Sequence, residues 1–434
     1  MAIISQRTLF CWEDDIENLG DLERLQIVLD TIPDEELMET LEKERGKGRN
    51  RFPIRAIWNS ILAALVFQHL TVESLIRELQ RNVQLRYLCG FGMGSIPNAW
   101  NYSRFLKSLI RHLDLLEKMF DLLVDELKEI FPDFGKRLAI DSKNIQSFAN
   151  RKTDKKADGR RDVDADTGIR TYRGVHKDGT AWEKIVKCFG YKLHLIVDSE
   201  YELPVAYEVT AASKSDVTEG HKLVENLAKK HEDMIETCEY LSGDKGYDDT
   251  KLIKKLREMK IRAVIDTRQM WKGEKERPLG VTPEAYYDEK GNVYCFCKCS
   301  SMKRTMCNNG FEEKRNCLRK ACPAEKYAIE CESKGKGICS LESGIRIPLE
   351  EDERIFTAVD RSSYKWEREY KHRTAVERVN SRLDVSFGFE KHTIRGRKKM
   401  EMRCGLALVV MLTMAVGRIK QKRPELMRSL VKTA

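Results

Sequence analysis

Hydrophobic residues in the N-terminal third of the chain recur at intervals of three and four, which is the spacing of one face of an α-helix. The repeat is strongest in segments 54–70, 72–92 and 96–131. A proline precedes the first of these segments and a glycine closes the second, as is usual at helix ends. We therefore predict an all-helical domain over residues 1–130.

The third of these segments carries polar residues that suit contact with DNA if two helices form a helix-turn-helix unit. The candidates are Asn98, Asn101, Ser103, Arg104 and Lys107. Among them, Arg104 is the cation that we assign to DNA binding. The alternative is plain packing of helices with solvated polar side chains.

Beyond Phe131 the pattern changes to short apolar runs that are typical of strands. The predicted strands are 135–146, 187–198, 203–212, 238–249 and 261–267, and the predicted helices are 215–231 and 250–260. We therefore predict a mixed α/β sheet over residues 131–267. The stretch 151–179 is rich in Lys, Arg and Asp and poor in aliphatic residues, so we predict a long mobile loop there.

Residues 268–350 interrupt the sheet pattern and show little periodicity. Order resumes with a predicted helical stretch at 354–383 and a helix at 395–422. The apolar run 404–417 has about 14 residues against the roughly 20 that a bilayer span needs, so we expect a buried helix and no membrane partner. The N-terminus shows no secretory signal, so we expect a cytoplasmic protein, associated with the nucleoid if DNA is its partner.

Positive charge is concentrated at the C-terminal end of the chain. Residues 361–434 contain 19 Lys and Arg against 7 Asp and Glu, a balance of +12 within a total of +9, so the remainder sums to −3. Each cation at a phosphate releases condensed counterions, so this concentration favours a polyanionic partner such as nucleic acid. A solvated basic tail is the alternative.

Three acids stand where they can share a site. Asp141 follows a predicted buried strand, Asp244 ends a later strand between glycines, and Glu377 lies in the helical stretch 354–383. Hard divalent cations prefer such oxygen ligands, and two of them about 3.5–4 Å apart can activate a water at a phosphodiester. Because the chain has 69 acidic residues, chance placement at strand ends is the alternative.

Tyr370, Arg373 and Glu377 stand at i, i+3 and i+7, which is one face of a continuous helix. The simplest interpretation of Arg373 and Glu377 is an ion pair worth roughly a few tenths of a kcal/mol. That interpretation does not explain the tyrosine on the same face or the basic residues that follow.

These three residues match the Y-x2-R-x3-E motif of one group of DDE transposases from bacterial insertion sequences, which the chain resembles. AIDSK around Asp141 is similar to the strand of the first acid, and GDKGYD around Asp244 is similar to that of the second. FGFEKHTIRGRKKM at 387–400 resembles the segment after the third acid, and 55–109 resembles the helical domain of the same enzymes. Several motifs in the same order carry the resemblance.

The resemblance implies a ribonuclease H-like core in which Asp141, Asp244 and Glu377 are the catalytic acids and hold two Mg²⁺ or Mn²⁺ ions, with Asp141 bridging both. It implies an enzyme that binds the inverted ends of its insertion sequence, cleaves them and joins the 3′ ends to target DNA by in-line phosphoryl transfer. Synapsis of two ends implies a homodimer or a larger assembly.

The same resemblance assigns Tyr370 and Arg373 to phosphates of the transposon end, with the arginine in bidentate contact. Lys245 and Tyr247 are further candidates for phosphate contact, with structural pairing as the equal alternative.

One position departs from the family pattern, which places Lys or Arg seven residues after the glutamate. This chain has Asp384 there. Arg382 and Lys391 are the candidates to supply the missing phosphate contact.

Eight of the 13 cysteines fall within residues 268–350. They are Cys295, Cys297, Cys299, Cys307, Cys317, Cys322, Cys331 and Cys339. A structural zinc ion takes four thiolate or imidazole ligands, so eight thiols suffice for two sites, and a reducing cytoplasm favours metal over disulfides. The spacing lacks paired C-x2-C, so unliganded thiols and disulfides stay as alternatives.

We therefore predict a metal-dependent DNA transposase with three parts. These are a helical DNA-end-binding domain at 1–130, a catalytic core at 131–267 and 351–434, and a cysteine-rich, zinc-binding insertion at 268–350. The alternatives are a nuclease of the same fold that cuts without joining, and a transposase-derived DNA-binding protein without catalysis.

Overall fold

The computed structural model describes residues 19–46, 51–92, 95–149, 162–176, 180–273, 275–300 and 302–430. The helices, labelled α1 to α14 in chain order, are Glu23–Thr31, Glu35–Arg45, Ile54–Val66, Val72–Arg81, Val83–Leu88, Ala99–Leu109, Leu113–Ile130, Asp216–Lys230, Glu232–Thr237, Thr250–Glu258, Pro323–Lys326, Tyr364–Lys371, Thr374–Phe387 and Arg397–Lys420. The strands, labelled β1 to β13, are Arg137–Gln146, Asp166–Val175, Ala181–Asp198, Leu203–Ala211, Tyr240–Gly243, Arg262–Ile265, Arg277–Leu279, Thr282–Tyr287, Val293–Phe296, Lys303–Thr305, Cys307–Glu312, Cys317–Ala321 and Ile345–Pro348.

Helices α1 to α7 precede the sheet, as the periodicity predicts, but two of the predicted segments are divided. Segment 72–92 breaks at Asn82, whose Oδ1 accepts a hydrogen bond from the Leu85 backbone N–H at 2.9 Å and so caps α5. Segment 96–131 breaks at a 3-10 turn, Ile110–His112. An asparagine side chain competes for backbone amides, so it favours a helix start over a helix interior.

The central sheet has the strand order β2-β3-β1-β5-β6, with β4 also paired to β3. β1 pairs antiparallel with β3 and parallel with β5, and β5 pairs parallel with β6. Helices α8 and α9 connect β4 to β5, and α10 connects β5 to β6. This arrangement confirms the predicted mixed α/β sheet.

The prediction of one long loop at 151–179 is wrong for the part that the structure describes. Asp166–Val175 forms β2, which pairs antiparallel with residues 181–190 of β3. The first residues of β3 are exposed, so this part of the hairpin is a solvated two-stranded ribbon. Such a ribbon needs no apolar alternation, and its sequence therefore resembles a loop. Residues 150–161 and 177–179 lie outside the described residues.

Residues 268–350 form two small sheets, with strand orders β10-β9-β8-β7 and β11-β12-β13. They share a separate apolar cluster that includes Val293, Ile347 and Phe356. Each strand has three to six residues, which is too short for alternation to show in the sequence.

Helix α14 joins the N-terminal helices to the sheet, because it packs against α7, α1 and β4. One continuous apolar cluster extends from Leu22 in the N-terminal part to Leu430 near the C-terminus. Within the described ranges, α14 is long and apolar enough to cross a membrane, yet 89% of its apolar stretch is buried in the fold. The predicted burial of this helix is confirmed.

Candidate active site

The register of the central sheet places the first two acids side by side. The last paired residues of the parallel neighbours β1 and β5 are Ile140 and Gly243. Asp141 directly follows Ile140, and Asp244 directly follows Gly243. Neighbouring strands lie about 4.8 Å apart. Two aspartates that are far apart in sequence therefore stand together where β5 ends.

Asp244 is held by the turn that follows it. Its Oδ1 accepts a hydrogen bond from the Gly246 backbone N–H at 2.7 Å. A Cβ atom at Gly246 would lie 2.5 Å from the same oxygen, so only glycine permits this close approach. The glycines of the GDKGYD segment thus fix the position of the carboxylate.

Glu377 and the other two motif residues lie on a pair of consecutive helices, which corrects the prediction of one continuous helix. Tyr370 lies in α12, Arg373 is the N-cap residue of α13, and Glu377 lies in the first turn of α13. At the junction the backbone hydrogen bonds become i,i+3, from Ala375 N–H to His372 O at 3.1 Å. The three motif residues nevertheless remain neighbours.

Arg373 connects the third acid to the first. One guanidinium nitrogen, Nη2, lies 2.7 Å from Glu377 Oε1, and the other, Nη1, lies 3.8 Å from Asp141 Oδ2. Burial by itself lowers the pKa of Arg373, but the Glu377 hydrogen bond and charge outweigh burial, so the pKa is raised. The predicted ion pair exists, and it also contacts Asp141.

No three His, Cys, Asp or Glu side chains of the described residues lie close enough together to hold a metal ion. At the acid site a guanidinium lies between Asp141 and Glu377. The donors are chemically suited to a hard divalent cation, because all three acids offer carboxylate oxygens and Arg373 contacts both Asp141 and Glu377.

Tyr370 lies against the acids with its ring stacked on Trp366, at a centroid distance of 4.7 Å and an interplanar angle of 12°. Burial raises the pKa of Tyr370, and the charge of Asp266 adds to that rise. Asp266 follows Ile265, which pairs with Gly243, so it neighbours Asp244 on the third strand of this edge. No motif around Asp266 marks it as a site residue.

A network of polar side chains lies beside Asp141, and the sequence analysis did not predict it. Ser142 Oγ and Lys192 Nζ each donate a hydrogen bond to Asp216 Oδ1, at 2.9 Å in both cases. From the sequence, Ser215 and Asp216 both fit the N-cap of this helix, and Ser215 holds that position in α8. Hydrogen bonds that join a helix to two distant strands leave no local pattern in the sequence, so they could not be predicted from it.

Asp384, the acid at the position where the family is basic, forms an ion pair with Lys143. Lys143 is two residues beyond Asp141 in β1, and residues at that spacing lie on the same face of a strand. At the position where the family is basic, this chain therefore has an acid that binds a lysine of β1.

The other predicted phosphate contacts differ in accessibility. Arg382 is 15% exposed and donates a hydrogen bond to the backbone carbonyl of Glu202. Lys391 and Lys245 are exposed. Tyr247 is fully buried, so its candidate role in phosphate contact is wrong.

A groove of about 440 Å³ opens beside the acids. Its lining includes Asn144, Lys214, Asp216, Gly246 and Arg268. Lys214 and Arg268 are exposed, so two cations line a groove whose wall is continuous with the turn after Asp244.

In the helical part, Arg104 is exposed on α6 and lines a cavity of about 300 Å³ together with Arg45. Asn98 and Asn101, which were also candidates for DNA contact, bind each other in the first turn of α6 at 3.0 Å. Asn98 in addition caps that helix, so these two asparagines have a structural role.

Four of the clustered cysteines influence one another electrostatically, and we name them the four-thiol group. Burial raises the pKa of Cys295 to about 11, and the charges of Cys322, Cys339 and Cys331 add to the rise. The described cysteines are all free thiols. The four come from separate segments of the cysteine-rich region, and among the described residues they do not stand close enough together to hold a metal ion.

The remaining four cysteines do not form a second group of this kind. Cys307 pairs with Ala321 and Cys317 pairs with Glu312, so the two lie at opposite ends of one hairpin, about 14 Å apart. They do not share one ion at that separation.

Cys297 and Cys299 lie on either side of one serine. Cys297 Sγ is 3.1 Å from Ser333 Oγ, which donates to Cys299 Sγ at 3.5 Å. Hydrogen bonds from Ser300 and Ser333 lower the pKa of Cys297 to about 6.

Acids grouped in this way beside a basic surface are typical of enzymes that process nucleic acids with divalent metal ions. Residues 133–413 match the family model described as Transposase DDE domain, and residues 11–108 match the one described as Transposase domain (DUF772). The chain belongs to the DDE transposase family, which confirms the resemblance noted in the sequence.

Among solved structures, a similar chain is the piggyBac transposase in a cryo-EM structure of its synaptic complex with hairpin DNA. The match covers 98% of this chain and 82% of that one, with 13% identity and a TM-score of 0.35. No curated protein matches the sequence significantly.

Proposed function

We propose that this transposase binds the inverted ends of its insertion sequence, cleaves them and joins their 3′ ends to target DNA with Mg²⁺ or Mn²⁺. The observation that carries the proposal is the convergence of three acids. The strand register adjoins Asp141 to Asp244, and Arg373 links Glu377 to Asp141.

The proposed metal ligands are Asp141, which would serve both ions, and Asp244 and Glu377, which would serve one each. Bound divalent ions activate a water or a 3′-hydroxyl and stabilise the leaving oxygen. The protein orients these groups beforehand. The backbone N–H of Gly246 fixes Asp244 at 2.7 Å, and that of Ser142 donates to Asp141 Oδ1 at 2.7 Å.

The DNA contacts would come from cations around the acids. Tyr370 and Arg373 would hold the phosphate that reacts, and Lys143, two residues beyond Asp141 on β1, is a further cation near the first acid. The groove lined by Lys214 and Arg268 fits a phosphate backbone that runs past Asp244.

Contacts farther from the chemistry would hold the transposon end. Arg104 on α6, Lys245 in the turn after Asp244 and Lys391 after α13 are exposed, which suits phosphate contact. Arg382 is covered by Glu202, so it is the weakest of the predicted contacts.

The strand order supports a ribonuclease H-like core. Strands β4, β3 and β1 are antiparallel, and β5 and β6 continue the sheet in parallel with β1. We place this core at 131–267 and 351–434. The end-binding helices are then 1–130 and the cysteine-rich insertion is 268–350.

Incubation of the purified protein with labelled element-end DNA and Mg²⁺ or Mn²⁺ tests the proposal. We expect cleavage at the 3′ end followed by strand-transfer products that join the end to a second DNA. The measurement is denaturing gel analysis with and without EDTA, which should abolish both products.

The alternatives give different results in the same assay. Cleavage without joining supports a nuclease of the same fold. DNA binding without cleavage in either metal supports a transposase-derived DNA-binding protein, and no binding to element ends contradicts all three.

Two further parts of the proposal concern the assembly and its place in the cell. Two transposon ends must be held together for joining, so we propose a homodimer or larger assembly on DNA. The basic C-terminal part, with +12 over residues 361–434, supports association with the nucleoid in the cytoplasm.

We also propose that the four-thiol group holds one structural zinc ion. Four thiolates match the ligand number of a tetrahedral site, and metal binding draws such ligands together because it is coupled to folding. This narrows the sequence prediction from two sites to one.

Native-purified protein should therefore contain about one zinc ion per chain by elemental analysis. Cys295→Ser should remove most of that zinc and lower the thermal midpoint, since the site stabilises the small sheets. Cys307→Ser is the matched control, because Cys307 lies in the same region but outside the four-thiol group. Near-zero zinc in the native protein, or equal loss in both variants, would contradict the proposed site.

A further inference from the structure

Arg373 holds an unusual place for a residue assigned to DNA phosphates. Its two terminal nitrogens point to Asp141 and Glu377, which are two of the three acids proposed to bind metal. Its side chain is only 20% exposed. To bind a DNA phosphate, the Arg373 guanidinium would first have to leave these two carboxylates.

The third guanidinium nitrogen, Nε, is buried and has no hydrogen-bond partner among the described residues. The pair with Asp141 is also long, at 3.8 Å, whereas the pair with Glu377 is short, at 2.7 Å. The arginine is therefore held by charge more than by a full set of hydrogen bonds. To leave the two acids, the guanidinium has to break one short ion pair, the one with Glu377.

Neighbouring carboxylates repel each other, and a cation between them offsets that repulsion. In this structure the cation is the Arg373 guanidinium, which contacts both Asp141 and Glu377. A guanidinium and a divalent metal ion both offset the repulsion, but they would use the same carboxylate oxygens. Both cannot occupy the space between Asp141 and Glu377 at the same time.

We propose that Arg373 is the built-in counter-ion of the metal-free acid site, so that Arg373 and a divalent cation exclude each other from Asp141 and Glu377. The inference rests on the proposed function, because it takes these acids as the metal ligands. Metal binding then releases the guanidinium, and the released guanidinium is available to a DNA phosphate. DNA and metal should therefore strengthen each other's binding, since coupling between two sites is reciprocal.

The test is isothermal titration calorimetry of Mn²⁺ into the full-length protein without DNA. Arg373→Gln should bind Mn²⁺ at least about 5-fold more tightly than wild type, because no arginine has to be displaced. Arg373→Lys should fall between the two. The same Arg373→Gln protein without metal should have a lower thermal midpoint than wild type, and added Mn²⁺ should raise its midpoint by more.

Arg378→Gln is the matched control. Arg378 follows Glu377 in α13, carries the same charge and binds Glu202 at 2.6 Å, away from the acids. Its replacement should leave Mn²⁺ affinity unchanged. Equal tightening in Arg378→Gln would show a general effect of net charge and would overturn the inference.

Addition of a short DNA duplex gives a second readout. In wild type the duplex should tighten Mn²⁺ binding, and in Arg373→Gln it should do so much less.

In the titration without DNA, a Mn²⁺ affinity of Arg373→Gln that equals or falls below that of wild type overturns the inference alone. Absence of Mn²⁺ binding that depends on Asp141 in wild type overturns the proposed metal site and the inference with it.

Discussion

Replacement of Asp141 by asparagine is expected to abolish both end cleavage and strand transfer while binding to element-end DNA persists. Asparagine keeps the size of the side chain and its acceptor for the Ser142 N–H, but it loses the charge that a hard cation needs. Substitution of a residue that hydrogen-bonds a metal ligand lowers metal affinity or activity by about 10- to 100-fold. Loss of the ligand itself should therefore lower cleavage and strand transfer by more than about 100-fold. Gel assays measure the products, and fluorescence anisotropy measures DNA binding.

Asp233→Asn is the control for this prediction. Asp233 is exposed in α9 and lies outside the acid site, so its product yields should equal those of wild type. If Asp141→Asn and wild type give the same products, the assignment of the acids is wrong.

Replacement of Lys320 by methionine is expected to give the largest loss of stability. Lys320 Nζ lies 2.6 Å from Asp360 Oδ2, and the two side chains are 0% and 3% exposed. Loss of Lys320 leaves the buried Asp360 carboxylate with hydrogen bonds from Ser362 but without an opposite charge, and breaking a buried ion pair in this way costs about 3–5 kcal/mol. Denaturant titration of wild type and Lys320→Met measures the free energy of unfolding.

The same substitution should disturb the active site. The Asp360 backbone carbonyl accepts from Ser363 N at 2.9 Å, and Ser363 Oγ caps α12, the helix that carries Tyr370. The buried pair thus ties β12 to the start of α12. Weaker Mn²⁺ binding should accompany the loss of stability.

An exposed ion pair and a double variant complete this comparison. Lys43→Met breaks an ion pair with Glu39 in which both side chains are more than two-thirds exposed, and it should lower the free energy of unfolding by less than about 1 kcal/mol.

The double variant Lys320→Met with Asp360→Leu should recover much of the lost stability, because replacing a buried ion pair by apolar residues of similar volume often leaves stability unchanged. A cost in Lys320→Met no larger than that in Lys43→Met would refute the role of the buried pair.

Long elements with strong periodicity were predictable from the sequence. Helices α3 and α14 and strand β4 appear at almost the predicted bounds, because a face buried along many residues leaves a clear pattern. Strand β2 and the small sheets around the four-thiol group were not predictable. Their residues are solvated or their strands are too short to show a period.

The three acids could be proposed from local context and family motifs, but their neighbours could not. Asp216 and Asp266 contact or adjoin the site through pairings between distant segments. The ion pair of Lys143 with Asp384 likewise joins residues 241 positions apart. Nothing in the residues next to them marks these contacts.

The sequence by itself determined which residues are the candidates for the chemistry, because motif spacing and residue type are local properties of the chain. It also determined the transposase family and the mixed α/β class. Only the tertiary structure decided that Arg373 lies between Asp141 and Glu377 and that Tyr247 is out of reach of DNA. Those outcomes depend on the register between β1 and β5 and on the junction of α12 with α13, where distant segments meet.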